Sequence, residues 1–201
     1  MSYKIINLMN MVSAIGEDET KSILSSFSCP QAPDVETFIR SKAILFAAQG
    51  WAQTHIVVTS YRDSPVITGY FTLANKVITI PIKALSKTTQ KRLAKFAMYD
   101  SDLKAYCLSA PLIGQLGKNF ANGCNKLITG DELLGIACKK VSQIQMDLGG
   151  RYVYLECDDV PALVNFYTRN GFVEFDKRRL EKDEVDIFSG GYLIQMLKYI
   201  K

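Results

Sequence analysis

An α+β fold is what this sequence predicts: a central mixed, twisted β-sheet, antiparallel first and parallel afterwards, flanked by helices. Three observations predict it. Three β-rich segments follow one another between His55 and Ile82, separated by turn residues. From Leu112 to Phe175 strands and helices alternate, which implies crossover connections and parallel pairing. The 201 residues are 48% hydrophobic and 22% charged, enough for a real core and too apolar for a disordered chain. Residues 1–201 therefore read as a single domain.

The elements follow in order. After a lead-in with a helix near Glu17–Ser25, Pro33-Asp34-Val-Glu-Thr-Phe-Ile-Arg opens a helix with Asp34 as its N-cap and Glu36 in its first turn. Val35, Phe38, Ile39, Ala43 and Phe46 share one face, and Gly50 stops the helix. Segments His55–Tyr61, Val66–Leu73 and Val77–Ile82, joined by Asp63-Ser64-Pro65 and Asn75-Lys76, make an antiparallel meander. Residues 83–110 read as a helical basic insertion on the surface. Lys83, Lys87, Lys91, Arg92, Lys95 and Lys104 stand there against Asp100 and Asp102, a surplus equal to the +4 of the whole chain.

Strand Leu112–Lys118, a polar loop Asn119–Thr129 and helix Gly130–Leu148 come next. The helix carries Leu133, Leu134, Ala137, Val141 and Ile144 as its buried stripe, and Gly149-Gly150 ends it. Strand Tyr152–Cys157, helix Pro161–Arg169 and strand Phe172–Phe175 complete the alternation. A charged loop, Asp176–Asp186, leads to a last strand, Tyr192–Tyr199.

Composition removes several function classes. No apolar run approaches the roughly 20 residues of a membrane-spanning helix, and the first residues lack the apolar core and cleavage site of a secretory signal, so a cytoplasmic protein is expected. Five cysteines in odd number, without a C-x-x-C pair, argue against a disulfide framework and a zinc site. With one histidine, His55, no metal site is expected, and each Cys reads as a small buried hydrophobe unless a lone one is reactive. The mild net charge by itself does not announce nucleic acid.

Two segments have the form of a chemical site. Asn125-Lys126-Leu127-Ile128-Thr129-Gly130-Asp131 enters a helix after a strand and loop, where unpartnered N–H groups and the helix dipole favour a phosphate. The ordinary alternative is a plain connection. In Glu156-Cys-Asp-Asp-Val-Pro161 through Phe166-Tyr167 to Gly171-Phe172, Tyr167 lies beside the core residue Phe166 and can turn its hydroxyl toward the strand end, or pack at the core edge.

The order strand, Gly130 loop, amphipathic helix, strand ending Leu-Glu-Cys157, then Ala162-x-x-x-Phe166-Tyr167-x-x-x-Gly171-Phe172, resembles the acyl-CoA-binding half of the GNAT N-acetyltransferase superfamily. Phe38-Ile-Arg, Val66-Ile-Thr-Gly-Tyr-Phe-Thr-Leu and Leu112-Ile-Gly-Gln-Leu extend the resemblance to about residues 20–199. It implies a GNAT-like fold and acetyl-CoA as the acyl donor. Asn125–Gly130 would stand at the pyrophosphate loop Q/R-x-x-G-x-G/A, of which only Gly130 matches, Asn125 and Ile128 replacing the first and second key residues. Leu116, Gly117 and Lys118 would run beside the pantetheine arm, and Tyr167 would match the tyrosine that protonates the departing thiolate. A base for the amine is offered by Glu156, which otherwise reads as a structural cap.

Phe27-x-Cys29, the Phe38-Ile-Arg helix, the Gly69-Tyr-Phe-Thr-Leu strand and Leu112-Ile-Gly-Gln-Leu also resemble a toxin-like subgroup that acetylates aminoacyl-tRNA. The partners implied are an amine-bearing acceptor, whether small molecule, protein or charged tRNA, and a second copy of the chain in a homodimer, with no membrane. The basic stretch would suit phosphates, or be a solvated face. A catalytically silent GNAT-like interaction module is the alternative, favoured by the two loop departures.

Overall fold

A two-residue turn fixes the first hairpin. In the computed structural model, which describes residues 2–180 and 191–200, Arg62 and Asp63 adopt φ of 51° and 59°. Two left-handed residues in succession match the twist of paired strands, and an Asp tolerates that conformation better than most residues. The hairpin joins β2 (Gln53–Tyr61) to β3 (Ser64–Pro81) antiparallel, from Gln53↔Leu73 to Tyr61↔Ser64.

The chain forms two compact units, one of Met1–Ala74 and Ile113–Ala137, the other of Asn75–Leu112 and Cys138–Lys201. Strands β3 and β5 (Ala105–Lys118) contribute to both, as does the long helix described below. In the first unit β1 (Lys4–Asn7) pairs β2 antiparallel, giving the strand order β1-β2-β3-β5. Helices α1 (Leu8–Ile15), α2 (Glu17–Ser25), α3 (Pro33–Thr37) and α4 (Ala43–Ala48) belong to it. Asn7 caps α1, its side chain accepting from the Met9 and Asn10 N–H groups. Between α3 and α4 a π-turn, Phe38–Lys42, presents the adjacent Phe38 and Ile39 to the interior. They join Leu8, Leu24, Phe27, Val35, Ala43, Ile56 and Tyr70 in one core.

Two expectations about this helix need correction. Asp34 is not its N-cap: Ala32 is, because Pro33 has the fixed φ of a first helical residue and so pushes the cap one place back. The helix also widens into a π-turn at Phe38–Lys42 instead of running as one α-helix, while its stop falls as expected, with Ala48 its last residue and Gly50 just beyond at φ 73°.

In the second unit the order is β3-β5-β6-β8-β7, with β4 (Met98–Asp100) on β5; β6 is Tyr152–Asp158, β7 Val173–Arg179 and β8 Tyr192–Tyr199. The β5–β6 pairing is parallel, at Leu112↔Tyr154, whereas β6–β8 and β7–β8 are antiparallel. The later half of the sheet is therefore less parallel than expected, because β8 returns between β6 and β7. Ile78, Ile80, Leu108, Ala110, Tyr152, Tyr154, Phe175 and Leu197 form one core with Leu85 and Leu93.

The expected helical insertion at 83–110 is mostly not helical. Only a 3₁₀ turn at Ile82–Ala84 and α5 (Lys87–Leu93) are; the remainder holds β4 and the first half of β5. Leu108 and Ala110, two apart, bury one side of the strand, and α5 seats Leu93 in the same core, so this stretch is structural as well as basic. The expected turn at Asn75-Lys76 is likewise absent, β3 running through it. Of the charged loop Asp176–Asp186, β7 takes the start, and positions 181–186 lie outside the described residues. Helices α6 (Gly130–Leu148) and α7 (Pro161–Arg169) have the expected bounds. Among the described residues no helix is long and apolar enough to cross a membrane.

Candidate active site

Within the first unit, the sequence-predicted residues gather at the end of β5 and the start of α6. Gly117 is buried, and Leu116 and Lys118 are half-buried. A Cβ on Gly117 would lie 2.4 Å from Val35 Cγ1, so a glycine is required for α3 to approach the strand this closely. Just beyond, Asn119 fixes the exit of the chain. Its Oδ1 accepts from the Ser28 and Ala121 N–H groups at 3.0 Å each, and its Nδ2 donates to the Ile67 carbonyl at 2.9 Å. Sequence reading assigned Asn119 only to a polar loop.

Asn125 and Lys126 close a 3₁₀ turn, Ala121–Lys126, with Lys126 exposed. Ile128, at the place of the second key residue of the pyrophosphate loop, is a core residue, 2% exposed. Thr129 and Glu132 form a reciprocal cap: the Thr129 N–H donates to Glu132 Oε2 at 2.8 Å, and the Glu132 N–H to Thr129 Oγ1 at 3.1 Å. Bonds from the Thr129 N–H and hydroxyl hold the Glu132 carboxyl below its usual range. Tyr3 donates to the Leu127 carbonyl at 2.9 Å, and the Leu127 N–H is engaged by Cys124. The T-x-x-E spacing, Thr129 to Glu132, was the available signal for this cap.

These residues fit an acyl-CoA diphosphate through fewer amides than a glycine-rich loop offers. The Leu127 and Thr129 N–H groups already have partners, and Gly130, half-buried in the first turn, has an N–H with no intrahelical acceptor. The exposed ammonium of Lys126 and the helix dipole supply positive charge; Asp131, also exposed, does not.

In the second unit, α7 carries Tyr167, half-buried, with ring centroids 4.9 Å from Phe166 and 5.9 Å from Phe172. Burial pushes its hydroxyl well above the ordinary phenol value, and the neighbouring Cys157 adds to the shift. The Cys157 thiol, buried at the end of β6, is itself pushed up to about 12 by burial and by Asp158, Glu174 and Asp159. Both groups are therefore neutral at pH 7.

Glu156 lies in a polar cluster that strand pairing assembles, opposite Gln195 on β8. Arg178 of β7 grips both its oxygens, Nε to Oε1 at 2.8 Å and Nη2 to Oε2 at 2.6 Å. The Tyr154 hydroxyl and Gln195 Nε2 also donate to Oε1. Burial acts to raise the carboxyl pKa, but the bonds from Arg178, Tyr154 and Gln195 outweigh it and lower the value. Such a carboxylate is a weak base at neutral pH. Arg178 and Gln195 were not picked out from the sequence, because the strand register that joins them to Glu156 is a long-range feature.

No protein-family profile matches the chain, and no curated protein matches its sequence. Solved structures match its fold. One described as a bacterial toxin is 18% identical, covers 99% of this chain and 91% of its own, and superposes with a TM-score of 0.64. AtaT complexed with acetyl-methionyl-tRNAfMet is 16% identical, over 96% of this chain and 94% of its own, at 0.62. AtaTR bound with AcCoA is 13% identical, over 96% and 92%, at 0.55. A mixed sheet flanked by helices and a likeness spanning nearly the whole chain make the observed fold the GNAT-like one that the sequence resemblance implied.

Proposed function

We propose that this protein is an acyl-CoA-dependent N-acetyltransferase that moves an acetyl group from acetyl-CoA to a primary amine, with the amino group of a charged tRNA as the acceptor. The observation that carries the reading is Tyr167, a neutral hydroxyl in an aromatic setting beside a neutral thiol. In the reaction the amine nitrogen bonds to the thioester carbon, the carbon–sulfur bond breaks, the sulfur leaves with the electron pair and takes a proton, and the amine gives up its own proton to solvent water. A departing thiolate gains from an O–H donor aimed at it, and the Tyr167 proton serves as that donor and as the acid.

Leu116, Gly117 and Lys118 are the main-chain partners we assign to the pantetheine arm. Lys126 and the Gly130 N–H take the diphosphate, at the mouth formed by Asn125, Leu127, Ile128, Thr129 and Asp131. Glu156 is assigned to binding β6 and β7 together through Arg178 rather than to taking the amine proton, since both its oxygens are occupied. Support for acetyl-CoA and for a tRNA acceptor comes from the shared fold with AtaTR bound with AcCoA and AtaT complexed with acetyl-methionyl-tRNAfMet, and from the exposed lysines around α5.

Tyr167→Phe tests the reading. With acetyl-CoA and mixed aminoacyl-tRNA, kcat should fall by about 100-fold or more while the calorimetric affinity for acetyl-CoA is kept. An unchanged kcat would remove Tyr167 from the chemistry. A second reading, a catalytically silent module, is favoured by the buried Ile128 and by the Thr129–Glu132 cap. It requires that coenzyme A bind with no turnover on any amine.

A further inference from the structure

The second unit holds two adjoining cavities that have no role in the reading above. One, of about 370 Å³, is bounded by Ser142, Gln145 and Met146 of α6, by Arg151 and by Ile200. The other, of about 450 Å³, is bounded by Cys138, Lys139 and Ser142 of α6 and by Lys198, Tyr199 and Ile200 at the end of β8. Ser142 and Ile200 belong to both, so the two make one groove between the second half of α6 and the end of β8. Its wall is fixed by backbone: the Ile200 N–H donates to the Arg151 carbonyl at 2.7 Å, and Gln145 Nε2 to the Tyr152 carbonyl at 2.7 Å.

The charges in this wall are all of one sign. Lys139, Arg151 and Lys198 line the groove, and no Asp or Glu does. Lys139 and Arg151 are exposed, and among the described residues neither forms an ion pair. Lys198 is half-buried, and its ammonium meets the Phe172 ring at 5.5 Å and no carboxylate. Taking a cation partly out of water costs free energy that a counter-charge returns, and the groove has room for one. Gln145, 9% exposed, adds an acceptor: with Nε2 spent on Tyr152, its Oε1 has no hydrogen-bond partner. Three cations suit an anion with several oxygens, the carboxamide oxygen suits a hydroxyl or N–H of the same ligand, and Tyr199 and Ile200 give it an apolar wall. A nucleotide carries all three features, whereas a simple carboxylate or inorganic phosphate lacks the apolar part.

We propose that this groove binds a nucleotide through its phosphate, with Arg151, Lys198 and Lys139 on the phosphate oxygens and Gln145 on a hydroxyl or N–H. The nucleotide is either free or part of an RNA chain. Arg151 immediately precedes β6, and Cys157, beside Tyr167, lies six residues further on, about 20 Å along an extended strand. The groove is therefore separate from the position assigned to the leaving thiolate, and its occupancy does not depend on acyl transfer.

The experiment titrates uridine monophosphate, by calorimetry, and a short fluorescein-labelled RNA, by anisotropy, into the wild type, Arg151→Gln, Arg151→Lys and Lys42→Gln. Thermal melting shows that each variant is folded. Lys42 is an exposed cation of the first unit, so Lys42→Gln makes the same change of charge outside the groove. Whichever probe binds, Arg151→Gln should raise its Kd about tenfold, as expected for loss of a charged hydrogen bond. Arg151→Lys should recover part of that loss, and Lys42→Gln should match the wild type. Binding of uridine monophosphate alone marks a free nucleotide; binding of the RNA, alone or displaced by uridine monophosphate, marks an RNA chain. The proposal is overturned if neither probe binds the wild type, if folded Arg151→Gln binds as the wild type does, or if saturating acetyl-CoA abolishes the binding. Acetyl-CoA binding by the wild type, measured separately, bears on the function reading alone.

Discussion

The carboxylate of Glu156 is held by Arg178, Tyr154 and Gln195, and its titration is a handle on stability. Its folded pKa is lowered, so the stabilisation it gives is fully present above the ordinary unfolded carboxylate value of about 4.3 and is lost as the pH falls through the folded value. Glu156→Gln should cost about 2–3 kcal/mol at pH 7, because it removes a largely buried, doubly hydrogen-bonded ion pair with Arg178. Melting curves from pH 7 downward check this: the gap between wild type and variant should begin to narrow as the pH falls past the unfolded carboxylate value of about 4.3 and go on narrowing through the lowered folded value. A gap that stays constant would mean the cluster contributes packing rather than charge. Other residues differ in how openly the sequence announced them. Gly130 and Tyr167 stand in recognisable local patterns, Thr129-x-x-Glu132 has capping-box spacing but sits in a segment read only as a phosphate loop, and Asp34 read as a cap because Asp before an apolar run usually is one. The requirement for glycine at Gly117 was hidden, since it depends on Val35, eighty-two positions away in sequence.

Helix α5 combines two duties that separate variants can tell apart. Its inner residue Leu93 is fully buried, so Leu93→Ala should lower stability by about 2–5 kcal/mol, read as a fall in the denaturant midpoint. Its outer residues Lys87 and Lys91, with Lys95 just beyond, are exposed, and a triple change to Gln should leave the midpoint nearly unaltered. If these lysines meet RNA phosphates, the triple variant should bind tRNA more weakly, with a log–log salt dependence shallower by about 0.7–0.9 for each phosphate no longer neutralised. Fluorescence anisotropy across a salt series reads that slope, and an identical slope would mark the lysines as a solvated face. The same segment explains which elements could be read from sequence. Helices α6 and α7 have local punctuation at their ends, Gly149 and Gly150 at φ of 85° and 90° and Pro161 at the first turn, and their bounds came out as expected. Strand β3 did not, because pairing carried it through Asn75-Lys76, whose turn chemistry is only a local preference. The start of β5 was masked by the neighbouring lysines, which made the whole of 83–110 look like one surface excursion.

For the chain as a whole, two opposing features decide between enzyme and silent module. The fold matches toxin structures over 96–99% of its length, yet the buried Ile128 and the Glu132 carboxylate occupy places where a glycine-rich loop would offer open backbone to a diphosphate. A ligand that binds only the folded state raises stability in proportion to the logarithm of its concentration over Kd, about 2.7 kcal/mol at a hundredfold excess. For a chain of this size that is a rise in Tm of roughly 5–10 °C. Acetyl-CoA should therefore raise the melting temperature of the wild type and of Tyr167→Phe alike, because the role proposed for Tyr167 is in the chemistry and not in holding the cofactor. Gly130→Trp should lose the shift, since bulk at the first turn of α6 obstructs the diphosphate, and a scan without ligand shows whether that variant still folds. A shift in both wild type and Tyr167→Phe, with turnover in the wild type only, supports the enzyme. A shift without turnover in either leaves a binding module. No shift in the wild type means that Ile128 and the Thr129–Glu132 cap have closed the cradle, so the GNAT-like fold has been kept without its acyl donor.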